Sequence, residues 1–193
     1  MELNGKVIGF AITGSFCTFK SVLNQMEELV AQGADIVPIM SQNAFTTDTR
    51  FASAAEVNIR VENICQKTII TTVKEAEPIG PKGYLDLLII APCTGNTLAK
   101  LAAGIADTSV TMAAKAHLRN NKPVLIAVST NDGLANAAKN IGVLLNYKNV
   151  YFVPFRQDDC IKKPTSLVAD MPSIAESAKL ALEKKQIQPV LLG

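Results

Sequence analysis

Six residues, Leu-Asp-Leu-Leu-Ile-Ile at 85–90, place the tightest limit on how this chain folds. A continuous aliphatic run bounded by turn residues describes a central parallel strand covered on both faces, since a strand with one wet face would alternate polar and apolar. Comparable runs recur at 6–13, 34–40, 122–128 and 149–154, and segments of helix length separate most of them. Within 18–33, Phe19, Val22, Leu23, Met26, Leu29 and Val30 keep the spacing of one helix face, and Gly33 stands where a C-cap belongs. Residues 53–67, 134–146 and 173–187 read as further helices, 97–106 and 109–121 as two helices broken near Gly104 and Asp107, and 68–73 as a short β-branched strand. This alternation predicts a single three-layer α/β/α domain over residues 1–193 with a doubly wound, mainly parallel sheet, Rossmann-like or flavodoxin-like. The stretch 154–172, punctuated by Pro154, Pro164 and Pro172, is expected to be a long loop: a lid, a partner contact or disordered.

Composition agrees and excludes several classes. The residues are 48% hydrophobic but only 5% aromatic, so Ile, Val, Leu and Ala must supply the core, as layered α/β folds require. A formal charge of +2, with no window joining Lys and Arg to aromatics, argues against a nucleic-acid partner. Cys17, Cys65, Cys93 and Cys160 are far apart and His117 is the only histidine, so neither a metal site nor a disulfide framework is expected. The opening residues lack a basic stretch and a long apolar run, which predicts a soluble protein of the reducing cytoplasm.

In an open parallel sheet, ligands bind beyond the carboxyl ends of the strands. Those ends read alike here: Thr13, Gly14 and Ser15; Ser41, Gln42 and Asn43; Thr94, Gly95, Asn96 and Thr97; Ser129, Thr130 and Asn131. Each loop leads toward a helix N-terminus, where unpaired N–H groups and the helix dipole suit a phosphate or a carbonyl-rich heterocycle. Any one loop alone is an ordinary cap; four together, with Gly14 and Gly95 permitting close backbone approach, favour a site. Gly9 and Gly14 have the spacing of a triphosphate-binding loop, but Ser15 and Phe16 replace its Lys and Ser/Thr. The dinucleotide fingerprint and the acidic residue after the second strand are both missing, Ser41 taking the latter place, so a mononucleotide remains.

The segment Pro-Cys-Thr-Gly-Asn-Thr-Leu-Ala-Lys-Leu-Ala-Ala-Gly-Ile-Ala-Asp, 92–107, resembles the Pro-Ala-Ser-Ala-Asn-Thr motif and its continuation in the homo-oligomeric flavin-containing cysteine decarboxylase family of flavoproteins. Pro92, Asn96, Thr97, Lys100, Gly104 and Asp107 match, and Ala127 and Asn131 keep part of a second motif. The resemblance spans about 5–153 and implies FMN, with Gly14, Ser15 and the Phe16 N–H at its phosphate and Ser41, Thr94, Gly95, Asn96, Thr97, Ser129 and Asn131 around it. Residues 46–72 hold no histidine, where the family's decarboxylases place one, which argues against cysteine decarboxylation.

Within the family, Thr-Asp-Thr-Arg-Phe at 47–51 and Val-Ser-Thr-Asn-Asp-Gly-Leu at 128–134 are similar to a B-type component that works with a separate A-type chain to oxidise dihydrodipicolinate in endospore formation. That similarity implies a homo-oligomer (trimer or dodecamer), residence in the mother-cell cytoplasm, and NAD(P) carried by the partner chain. A dicarboxylate substrate needs cations, for which Arg50 and Arg156 are candidates, with Lys162 and Lys163 beside the latter. No catalytic base is assigned: Asp107 and Asp132 are nearest, and each is equally a helix cap. Cys93 reads as a core or cofactor-wall residue, His117 as a surface or helix-end side chain, and Phe45 and Phe51 either cover a flavin or fill the core. A non-catalytic activator of the A-type chain, and a decarboxylase or prenyltransferase of the same family, are the alternatives.

Overall fold

The computed structural model describes residues 2–193. The elements run β1 (Val7–Ile12), α1 (Phe19–Ala31), β2 (Asp35–Met40), α2 (Gln42–Thr46), α3 (Ala54–Cys65), α4 (Val73–Ala76), α5 (Ile79–Lys82), β3 (Leu87–Cys93), α6 (Gly95–Ala102), α7 (Ser109–Leu118), β4 (Val124–Thr130), α8 (Ala138–Leu145), β5 (Val150–Phe152), β6 (Phe155–Asp159), β7 (Lys163–Ala169) and α9 (Ile174–Leu182). Short 3-10 turns at Phe16–Thr18 and Met171–Ser173 lead into α1 and α9.

The sheet order is β2-β1-β3-β4-β7-β6, with β5 also pairing to β4. All pairs among β1 to β5 are parallel, so the fold is the doubly wound α/β expected from the alternation. Every residue of β3 is buried, as a central strand roofed on both faces requires. α1, α3 and α9 pack together, and α7 packs with α4, α5 and α6, each group touching the sheet. The buried apolar residues form one cluster dominated by Ile, Leu, Val and Ala. Burying each Ile, Leu or Val side chain contributes about 1.5–3 kcal/mol.

Local chemistry sets the helix starts. Ser53 and Thr72 close capping boxes with Glu56 and Glu75, whose carboxyls are held below their ordinary range chiefly by backbone N–H donors. The helix expected at 53–67 is α3; that at 134–146 begins later, at Ala138, and that at 173–187 closes at Leu182.

Three expectations are corrected. The stretch 154–172 is no loop: it forms the antiparallel hairpin β6–β7, whose β7 joins β4 through Ser129 to Val168 and Thr130 to Leu167. Residues 68–73 form no strand of the sheet; a lone bridge ties Ile70 to Ile39, and the β-branched residues there serve to cap and start α4. His117 does lie in the last turn of α7, but it is 1% exposed, with Nε2 3.0 Å from the Pro123 carbonyl. Burial pushes its pKa down to about 4.

Candidate functional site

Strands β2, β1, β3 and β4 are consecutive neighbours, so the four hydroxyl- and amide-rich loops stand side by side along one sheet edge. The direction in which successive strands are added reverses between β1 and β3, and the crevice at such a reversal is where open sheets receive ligands.

Side-chain hydrogen bonds stitch the loops together. Thr13 Oγ1 donates to the Pro92 carbonyl at 2.7 Å and accepts from the Thr94 amide at 3.0 Å. Ser15 Oγ and Ser129 Oγ lie 2.7 Å apart, joining the first loop to the fourth across β3. The Ser41 amide donates to the Ile12 carbonyl at 3.0 Å, which ties in the second loop. Thr130 Oγ1 donates to Asp132 Oδ1 at 2.6 Å, and both oxygens lean over Gly95, where a Cβ would meet them at 2.7 and 2.6 Å. Gly95 is therefore required by close approach, whereas a Cβ on Gly14 would meet only the Phe16 ring, at 3.6 Å.

Ser41 and Thr94 are N-caps, accepting from the amides of Ala44 at 3.4 Å and Thr97 at 3.3 Å. Those caps satisfy one donor each. Among the described residues the amides of Phe16 and Cys17, Gln42 and Asn43, and Gly95 and Asn96 have no protein partner. Three helical turns thus present free N–H groups along one edge, the donor set an anionic or carbonyl-rich ligand would use. Ser15, Gly14, Phe16, Ser41, Thr94 and Gly95 are half-buried, Thr97 and Ser129 are buried, and Asn96 and Asn131 face solvent.

The other named residues divide. Arg156 lies on β6, paired with Asp170 at 2.6 Å, its charge already neutralised within the hairpin. Lys163 pairs with Asp158 at 2.6 Å, which holds its pKa above the ordinary value. Arg50 is exposed, its guanidinium 4.9 Å from the centre of the Phe51 ring. Asp107 is paired with Lys100 at 2.7 Å, and that hydrogen bond keeps its carboxyl below the usual range. Asp132, half-buried against Gly95, is a carboxylate that the fold brings to the edge. Cys93 is fully buried, and burial raises its thiol far above the ordinary value, so it is a wall and not a nucleophile.

Thr13 and Thr130 proved as central as the residues singled out from sequence. Their signal was position: each is the hydroxyl residue at the strand's carboxyl end. Lys20 was missed altogether; it lines a cleft of about 500 Å³ that opens beside the first two loops, between α1 and residues 44–60.

The family model described as Flavoprotein matches residues 1–179. The chain belongs to the Flavoprotein family. Among its relatives, the B subunit of dipicolinate synthase from Bacillus subtilis (strain 168) is 45% identical over 191 residues, which are 99% of this chain and 96% of that protein. The crystal structure of the dipicolinate synthase B subunit from Bacillus halodurans superposes with a TM-score of 0.92 at 45% identity, covering 100% of this chain and 99% of that one. The FMN-dependent cysteine decarboxylase SpaF, at 20% identity and TM-score 0.67 over 94% of this chain and 98% of its own, shares the Flavoprotein fold. No helix among the described residues of this Flavoprotein chain is long and apolar enough to cross a membrane.

Proposed function

We propose that this chain is the B-type, flavin-holding component of a dipicolinate synthase. It acts with the A-type chain of dipicolinate synthase, which carries NAD(P), to oxidise dihydrodipicolinate to pyridine-2,6-dicarboxylate. The observation that carries the reading is the 45% identity to a dipicolinate synthase B subunit over nearly the whole of both chains. The free amides of Phe16, Cys17, Gln42, Asn43, Gly95 and Asn96 support the cofactor half of the reading, because they match the phosphate and ring carbonyls of FMN without needing formal charge. By the same reading the chain is a cytoplasmic mother-cell protein and a homo-oligomer, trimer or dodecamer, which light scattering would size.

FMN, when bound, supplies a two-electron acceptor. The chain's own residues do the rest. The amides at the starts of the 3-10 turn, α2 and α6 bind and orient, and the Ser15–Ser129 hydrogen bond locks the loops that carry them. Aromatising a dihydropyridine releases one hydride and one proton. A bound flavin, or the nicotinamide of the partner chain, would supply the hydride acceptor, and Asp132 Oδ2 is an edge atom free to take the proton while Thr130 holds Oδ1.

The test is a titration of the purified chain with FMN, following visible bands and flavin fluorescence. Saturable quenching that Asn96→Ala weakens supports the cofactor site. A folded protein that leaves FMN unquenched overturns it and makes an activator of the A-type chain the better reading.

A further inference from the structure

The cleft beside the polar edge has walls of a different kind. Phe16, Phe19, Leu23 and Val57 form its apolar lining and Phe51 stands at its mouth, 53% exposed. Its volume, about 500 Å³, lies within the range of small-molecule sites. It meets the polar edge at Phe16 and at Ala44, which follows the cap Ser41 by three residues.

Most charged and polar groups around the rim are engaged. Glu56 accepts from the Ser53 amide and hydroxyl, and Asp48 accepts from the Ala54 amide. Thr49 Oγ1 donates to the Ala52 carbonyl and accepts from the Phe51 amide, while Arg60 is turned to Glu27 and Asn24. Among the described residues Lys20 has no ion pair or hydrogen-bond partner, and Arg50 rests only on the outer Phe51 ring. The cleft therefore holds one cation without a counter-ion, Lys20, and one carboxylate, Glu56, that is held by neutral donors at its far rim.

Lys20 is also badly placed for its own helix. It occupies the first turn of α1, where the dipole opposes a cation and where no acidic residue compensates. A side chain that weakens its helix and pairs with nothing, beside an apolar cleft with aromatic walls, suits a flat ligand that brings an anionic group to Lys20.

We propose that this cleft binds a planar ring dicarboxylate, with the ring between Phe16 and Phe51 and one carboxylate on Lys20, next to the edge that holds the flavin. The inference rests on the dipicolinate synthase reading for the ligand's identity, and on the cleft alone for its chemical class. Arg50 does not line the cleft; its guanidinium lies 4.9 Å from the centre of the Phe51 ring.

The experiment is calorimetric titration of the full chain, in metal-free buffer, with pyridine-2,6-dicarboxylate as the probe. Wild type, Lys20→Gln and Phe51→Ala are compared, and FMN titrations are run on the same three proteins. The expected result is saturable probe binding that weakens roughly tenfold or more in Lys20→Gln, the scale of a lost charge-assisted hydrogen bond, with FMN affinity unchanged. Unaltered probe binding in both variants overturns the site. Refusal of the probe by wild type, together with a lower sedimentation mass for Phe51→Ala, overturns it in favour of a cleft filled by a second copy of the chain. A wild type that takes the probe through Lys20 but leaves FMN unquenched sustains the cleft and overturns the cofactor reading; one that takes FMN but not the probe does the reverse.

Discussion

The two ends of one parallel sheet use their polar groups in opposite ways. At the amino end, side chains finish on backbone: Asp86 Oδ2 accepts from the Val7 amide at 2.9 Å, Lys122 Nζ donates to the carbonyls of Gly83 and Leu85, Asn120 Nδ2 donates to the Gly80 carbonyl at 2.8 Å, and His117 meets the Pro123 carbonyl. At the carboxyl end, hydroxyls bond chiefly across loops and to caps while six helix-start amides remain open. Closed polar groups stabilise a fold; open ones, held rigid by their neighbours, receive a ligand. Substitutions at the amino end should therefore cost stability without touching FMN, and those at the carboxyl end should weaken FMN binding.

The strongest way to break this contrast is pH. His117 has an ordinary unfolded value near 6.5 and a folded value of about 4, so the unfolded chain binds more protons between them. Its contribution is fully present above pH ~6.5 and is lost as pH falls through the folded value, on the order of 3 kcal/mol. Urea melts at pH 7 and pH 4.5 should differ by a large part of that, and His117→Gln, which keeps a donor toward Pro123, should flatten the difference. A wild-type midpoint that does not move across this window would refute the buried, neutral imidazole.

Lys122→Met comes next. It strips the donor from two carbonyls at the amino end and should destabilise by about 1–3 kcal/mol, read from the urea midpoint, with the FMN titration superimposable on wild type. Gly95→Ala drives a methyl into Asp132 and Thr130, so it should cost about 1–2 kcal/mol by displacing that loop, and unlike Lys122→Met it should also weaken FMN binding. Smallest in stability is Ser129→Ala, which removes one part-buried hydroxyl pair worth about 1 kcal/mol. Its effect should appear instead in flavin affinity, because the first and fourth loops lose their tie. If the Ser129 variant melts early and binds FMN normally, the carboxyl end is a structural seam like the amino end.

The sheet's parallel half was legible because each strand is a run of aliphatics that only a doubly covered position explains, and β3 is the clearest case. The hairpin was not legible for the complementary reason. Arg156, Gln157 and Asp158 of β6 are exposed, and Lys163, Pro164 and Thr165 open β7, so no apolar alternation marks either strand until Leu167. At the site, loop positions could be read from where strands end, and Ser41 and Thr94 could be read as caps. That Ser15 reaches Ser129, or that Asp132 lies on Gly95, depends on strand order, which no local pattern encodes. Arg156 illustrates the limit on charge reading: an arginine attractive for a carboxylate ligand had a carboxylate of its own in Asp170, 14 positions away. His117 was misplaced because a polar residue at a helix end usually faces water, and here the neighbouring strand's first carbonyl gives it a buried partner.

The hairpin also determines how this molecule meets others of its kind. A parallel sheet that stopped at β4 would offer a bare row of backbone donors and acceptors to any passing strand. β7 covers the far end of β4, and β6 then becomes the rim. Near its start β6 is occupied by the chain's own tail, through the Phe155 amide to the Val190 carbonyl at 2.9 Å and the Leu192 amide to the Phe155 carbonyl at 3.0 Å. Farther along, exposed Arg156 and Asp158 line it, and the tip carries Asp159, Lys162 and Lys163. A strand of another chain approaching that rim finds one half already paired and the other guarded by charge. Concentrated in a crowded cell, the protein is thereby hindered from polymerising through this rim.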